Sequence, residues 1–225
     1  MEQRARHFDV ADGQVSGIVT LPDGAPADTV VVLAHGAGSD LTNPLLAGVA
    51  DGLARNGFPS VRFNFPYRER RGRVPDRAPV LEASYRAVLE QVRADGELRP
   101  RRAVIGGKSL GGRMASHLAA AGAPIDGLLL LGYPLHPAGK PTQLRSAHLA
   151  RIAVPMLFLA GTRDALCGLD LLRDALSGLR GATLHVIEDG DHSFAVRKRS
   201  GRDAAAVLDE IVQATVRWLR TAVAT

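Results

Sequence analysis

Arg102-Ala103-Val104-Ile105-Gly106-Gly107-Lys108-Ser109-Leu110-Gly111-Gly112-Arg113-Met114-Ala115-Ser116 is the stretch that decides the fold of this chain. Its first five residues form an apolar, β-branched run that reads as a strand, and a helical period follows over Leu110–Ala121. Between them Gly107-Lys108-Ser109-Leu110-Gly111 matches G-x-S-x-G. In that setting the serine sits on a strained strand-to-helix turn with its Oγ raised above the sheet. Side chains two positions to either side would collide with the neighbouring strands and helix, so Gly107 and Gly111 leave room. Gly112 and Ala115 continue a small-residue face where the helix packs close to the sheet. The helix N-terminus adds partial positive charge where an anion would form. A plain N-cap is the alternative role for Ser109; the strand before it and the helix after it favour the elbow. Ser39, Ser60 and Ser116 lack that setting.

Outward from this centre the pattern repeats: a short apolar run, then Gly or Pro, then a helical period. Strands are predicted at Val15–Leu21, Val30–Ala34, Pro59–Phe65, Arg102–Gly106, Ile125–Leu131, Val154–Ala160 and Ala182–Ile187. Helices are predicted at Asn43–Asn56, Pro79–Ala94, Leu110–Ala121, Leu169–Leu176 and Ala204–Arg220. Nearly continuous apolar strands are buried on both faces, which implies a mostly parallel sheet with helices on both sides. No repeat or linker divides the chain, so residues 1–225 read as one α/β domain. The two loose stretches are 67–78, rich in arginine, and 133–151, read as a short cap loop; long loops in a compact domain are more often functional than idle.

A serine hydroxyl needs a general base, and the base needs an orienting carboxylate, in the chain order Ser, Asp/Glu, His. Two histidines lie far enough downstream. His185 falls inside a predicted strand, whereas His192 follows it in Asp189-Gly190-Asp191-His192, at the carboxyl end where open α/β sheets place their sites. His192 is the candidate base. Asp164, in Gly161-Thr162-Arg163-Asp164 directly after strand Val154–Ala160, is the favoured acid. Asp189 and Asp191 are alternatives, and Asp170 reads as a first-turn helix charge. An oxyanion hole needs two preorganised N–H donors. The amide of Leu110 is one, and Ala37, in His35-Gly36-Ala37-Gly38 after strand Val30–Ala34, is the candidate for the other.

Around this centre His35, Lys108, Tyr67, Tyr133 and His136 are candidate substrate-binding residues. Lys108 either steers an anionic substrate or points to solvent. Tyr133, His136 and Lys140 lie on the cap loop, and Tyr67 with Arg68 forms a candidate opposite wall. Cys167 reads as a packed thiol without an elbow of its own.

Composition narrows the field. Of 225 residues, 46% are hydrophobic and 23% charged, the balance of a globular chain. One cysteine excludes a disulfide framework and a multi-cysteine zinc site. Aromatics are only 4%, which argues against a base-stacking surface. The chain opens on charged residues without an apolar h-region, and its apolar runs are strand-sized, so a cytoplasmic location is expected. The formal charge is +5, and of 28 basic residues only Lys108, Lys140 and Lys198 are lysines. That arginine bias argues for coding composition rather than a polyanion partner. Lys108, Arg113 and Lys140 near the elbow leave open a preference for acidic acyl substrates.

With the elbow, acid, base and H-G-x-G in order, the chain from about residue 15 to its end resembles the α/β-hydrolases. It is similar in particular to small bacterial hydrolase-like proteins related to the testis-expressed protein 30 group, often labelled dienelactone-hydrolase-like. Arg62-Phe63-Asn64-Phe65-Pro66-Tyr67, Gly106-Gly107-Lys108-Ser109-Leu110-Gly111-Gly112-Arg113, Gly132-Tyr133-Pro134-Leu135-His136-Pro137 and Gly190-Asp191-His192 carry the closer match. Dienelactone hydrolases show a cysteine-nucleophile pattern where this chain has Ser109. The resemblance implies an α/β-hydrolase fold with a minimal cap and a Ser109-His192-Asp164 triad. It implies a serine hydrolase acting on a carboxylic ester or related acyl bond of a small molecule. No cofactor, metal, nucleic-acid or membrane partner is expected. A non-catalytic interaction module on the same fold is the alternative function.

Overall fold

The computed structural model describes residues 1–223. Eight strands form one sheet: β1 Glu2–Val10, β2 Gly13–Leu21, β3 Thr29–Ala34, β4 Ser60–Phe63, β5 Arg102–Lys108, β6 Gly127–Leu131, β7 Met156–Gly161 and β8 Ala182–Ile187, in the order β1-β2-β4-β3-β5-β6-β7-β8. β1 pairs antiparallel with β2, and β2 antiparallel with β4; every other pairing is parallel. The helices are α1 Pro44–Arg55, α2 Pro66–Glu69, α3 Ala78–Ala94, α4 Leu110–Ala120, α5 Leu169–Leu176 and α6 Ala204–Trp218.

β1 was not expected from sequence. Four of its nine residues are charged and most are exposed, with Phe8 alone buried, so no apolar run announces it. What holds it is its nine-residue backbone ladder to β2. The central strands show the opposite logic. All six residues of β3 are buried, because helices cover both faces. Val30 and Val32 pack with Leu81 and Tyr85 of α3 and Leu118 of α4, while Val31 and Leu33 pack with Leu46 and Val49 of α1 and Ile211 of α6. Between β6 and β7 the chain forms only a single 3-10 turn, Leu149–Arg151, so no helical lid rises over the carboxyl edge of the sheet.

α3 also braces the strand that carries the elbow. The Tyr85 hydroxyl, wholly buried, lies 2.7 Å from the carbonyls of Val32 and Gly106 and accepts the Gly106 N–H at 2.9 Å. Burial raises the phenol well above its ordinary range, so it stays protonated and donates. Tyr85→Phe therefore strands a buried N–H, and urea unfolding is expected to show a loss of about 1–3 kcal/mol. An unchanged midpoint would mean that the ladder closes without the hydroxyl.

Candidate active site

At the end of β5 the backbone turns sharply. Ser109 sits at φ 49°, ψ −109°, a conformation that costs energy for any residue with a side chain and is held only by its surroundings. Those surroundings are tight. A Cβ on Gly107, or on Gly111, would lie 2.1 Å from the carbonyl oxygen of Ala34. The two glycines thus let β3 and α4 approach the turn, as the spacing implied. Ser109 makes no capping bond to its helix; its Oγ instead lies 2.9 Å from His192 Nε2.

Asp164 follows β7, and its side chain is fully shielded from solvent. Its carboxylate accepts the Leu166 N–H at 2.8 Å and lies 2.8 and 2.9 Å from His192 Nδ1. A carboxylate only accepts, so Nδ1 carries the proton. Nε2 is left with its lone pair toward the serine hydroxyl.

Two loops had to meet for this contact, and residues not singled out from sequence join them. β7 ends in Gly161, where a Cβ would stand 2.2 Å from the Gly190 carbonyl, so only a bare backbone lets the base loop come this close. Thr162 Oγ1 accepts the Asp189 N–H at 2.9 Å. Arg163 donates to the carbonyls of Asp189 and Ala195 at 2.9 and 3.0 Å. The alternative acids are occupied in this clamp. Arg197 and Arg163 pair with the Asp189 carboxylate and hold it down at about 2. Asp191 Oδ1 accepts the Ser193 and Ala195 amides at 2.8 and 2.9 Å. The bonds from Thr162 and Arg163 to the following loop span 26 and more residues of chain, so no local motif announces them.

The donors expected for an oxyanion are open. Leu110 is the first residue of α4 and has no intrahelical acceptor. The Ala37 N–H is unpaired among the described residues, in a turn closed by the Ser39 N–H to Gly36 carbonyl bond at 3.2 Å, with Gly38 at φ 73°.

Four of the five expected substrate-binding residues require correction. His35 is wholly buried. Its Nε2 accepts the Phe65 N–H at 3.1 Å, which leaves Nδ1–H to donate to the Gly36 carbonyl at 2.9 Å, so it props the Ala37 turn from beneath. Tyr67 is buried edge-on against the His35 ring. Tyr133 is buried and donates to the Arg145 carbonyl at 2.7 Å, anchoring the cap loop. His136 is buried, its ring lying 3.0 Å from the Pro137 carbonyl and 3.3 Å from the Gly168 amide. The polar atoms of His35, Tyr133 and His136 serve the loops rather than face an open wall, and the Tyr67 hydroxyl is buried without a hydrogen-bond partner among the described residues. Lys108 is also buried, yet at the site itself. His185 pairs with Glu210 at 2.9 Å, away from the elbow. A second serine–histidine contact, Ser116 Oγ to His148 Nε2 at 2.8 Å, joins α4 to the segment before the Leu149–Arg151 turn, with Ser116 donating to the Arg113 carbonyl at 2.7 Å. Cys167 is buried and its thiol pushed up to about 12, which suits a packed group rather than a nucleophile.

A mostly parallel sheet with helices on both faces and a serine turn between its fifth strand and the next helix is the architecture of an α/β hydrolase. The chain belongs to the alpha/beta hydrolase domain family, whose model matches residues 27–220. Solved structures agree on the fold. An alpha-beta serine hydrolase homologue from Coxiella burnetii superposes with a TM-score of 0.78 at 20% identity, covering 97% of this chain and 98% of that one. A serine hydrolase without lid from Xanthomonas campestris gives 0.76 at 24% identity, covering 97% and 95%. A dienelactone hydrolase from Anabaena variabilis gives 0.77 at 21%, covering 99% and 98%. No described helix is long and apolar enough to cross a membrane.

Proposed function

We propose that the chain is a cytoplasmic serine hydrolase that cleaves a carboxylic ester, or a related acyl bond, of a small molecule through an acyl-enzyme. The observation that carries this reading is the unbroken hydrogen-bond relay Asp164–His192–Ser109, with both links between 2.8 and 2.9 Å. Ser109 Oγ attacks the acyl carbon while His192 Nε2 takes its proton. Asp164 stabilises the imidazolium that forms and holds the ring in place. The oxyanion of the tetrahedral intermediate accepts from the amides of Leu110 and Ala37. Collapse of the intermediate breaks the bond to the leaving alcohol, which receives the proton from His192, and the acyl group remains on Ser109. Water, deprotonated by the same histidine, then hydrolyses the acyl-serine and returns the site to its starting state.

A fluorophosphonate probe is expected to phosphonylate the wild-type protein at Ser109, read by peptide mapping. Wild-type protein that takes up no probe, or takes it up elsewhere, overturns the reading and favours a non-catalytic module.

A further inference from the structure

Lys108 breaks the rule of its own strand. In β5 the side chains of Val104 and Lys108 share one face, and the residue paired with Lys108 on β6 is Leu131, which packs in the apolar layer under α1 and α6. Strand alternation calls for an apolar side chain there. Instead an ammonium is placed where burial penalises it, in a residue only 7% exposed.

The side chain runs toward the base. Its Cγ lies 3.5 Å from where a Cβ of Gly36 would stand, a point 3.6 Å from Ser109 Cβ. Its Nζ lies 3.0 Å from where a Cβ of Gly132 would stand, and the His192 ring atom Cε1 is 3.7 Å from that same point. The Phe194 ring centroid is 6.0 Å away. The tip therefore sits beside the histidine that would protonate a leaving group. Nζ makes no hydrogen bond or ion pair among the described residues. The facing carboxylates are Asp164, held by His192, and Asp191, held by its own loop amides. Lysines this buried are ordinarily paired, and Nζ is not one of the polar atoms sealed from solvent without a partner, so a polar group from outside the chain can reach it.

We propose that the partner is the substrate: Lys108 binds an ionised carboxylate carried by the ester, so that the site selects anionic over neutral esters. This rests on the serine-hydrolase reading and specifies its substrate class. The carboxylate can belong to the acyl side or the alcohol side; the shared chemistry is a small ester with a free carboxylate.

Two substrate pairs, two variants and a pH series test it. p-Nitrophenyl hydrogen glutarate is compared with p-nitrophenyl pentanoate, and the acetyl ester of 4-hydroxybutyrate with that of its methyl ester. The wild type is expected to show a kcat/KM ratio of about 10 or more in favour of the anion in at least one pair, the scale of a charge-assisted hydrogen bond. Lys108→Met, whose side chain suits the apolar face, is expected to fold and to bring that ratio to about 1 or below. Lys108→Arg is expected to keep most of it. The third comparison is across pH. Burial pulls the Lys108 ammonium down to about 8, so the preference is present below that pH and fades as pH rises through it. It persists in Lys108→Arg, whose guanidinium stays charged. A pH effect on the chemical step itself acts on both members of a pair and cancels in the ratio.

A wild type that hydrolyses esters without preferring an anion, or a Lys108→Met protein that keeps the preference, overturns the proposal and leaves the triad standing. Binding is read independently of turnover in Ser109→Ala. Glutarate is expected to raise its thermal midpoint, and not that of Ser109→Ala/Lys108→Met; equal shifts in both overturn the proposal even in a chain that the fluorophosphonate leaves unlabelled.

Discussion

Ser109→Ala is expected to lower ester turnover by about 10⁶-fold, the scale on which loss of a nucleophile disables such a relay. The loss is large because in the proposed mechanism the hydroxyl oxygen forms the acyl bond, and neither Ser116 nor Cys167 is set to replace it. Ser116 is buried within α4 and already donates to the Arg113 carbonyl. The Cys167 thiol is packed and protonated. The fold should not suffer with it. The turn is held by Gly107 and Gly111 against Ala34 and by the Ser109 N–H to the Leu131 carbonyl at 3.0 Å, and alanine keeps both. Steady-state hydrolysis of a p-nitrophenyl ester, with a thermal melt on the same sample, checks this. A folded variant retaining more than about a thousandth of wild-type turnover, beyond what the amides of Leu110 and Ala37 could sustain alone, would move the nucleophile elsewhere.

Asp164→Asn should cost about 10⁴-fold in kcat with little change in KM. The amide keeps the shape of the carboxylate, and its oxygen can still accept the Leu166 N–H. Its NH₂, however, then faces His192 Nδ1. That donor favours the tautomer with the proton on Nε2, which cannot take the proton of Ser109. The side chain is wholly shielded, so water cannot substitute for the missing charge. Stopped-flow or steady-state kcat at neutral pH reads the effect. Turnover within tenfold of wild type would pass the role to Asp191 or Asp189, although Arg163, Arg197 and the loop amides already occupy them.

Much of this is legible in the sequence alone. The elbow rests on neighbours along the chain: two glycines at fixed offsets, a strand before and a helical period after. Such spacing is a local property, and residues 107–111 carry it in full. The order of serine, carboxylate and histidine, each just past the carboxyl end of a strand, follows from the same punctuation. The central strands announced themselves because a strand covered on both faces has to be apolar throughout. β1 did not, because an edge strand with one residue buried has no such obligation.

What the sequence by itself determined, then, is the α/β alternation, the position of the elbow and a short set of candidates for acid and base. Which of them meet is a matter of tertiary structure. Whether Asp164, Asp189 or Asp191 meets His192 depends on how the loops after β7 and β8 pack. Gly161, Thr162 and Arg163 set that across 26 and more residues of chain. It also turned His35, Tyr67, Tyr133 and His136 inward and left Lys108 unpaired beside the base. A side chain's direction is set by which face of a strand or loop the rest of the molecule covers, and that burial is decided through space rather than along the chain.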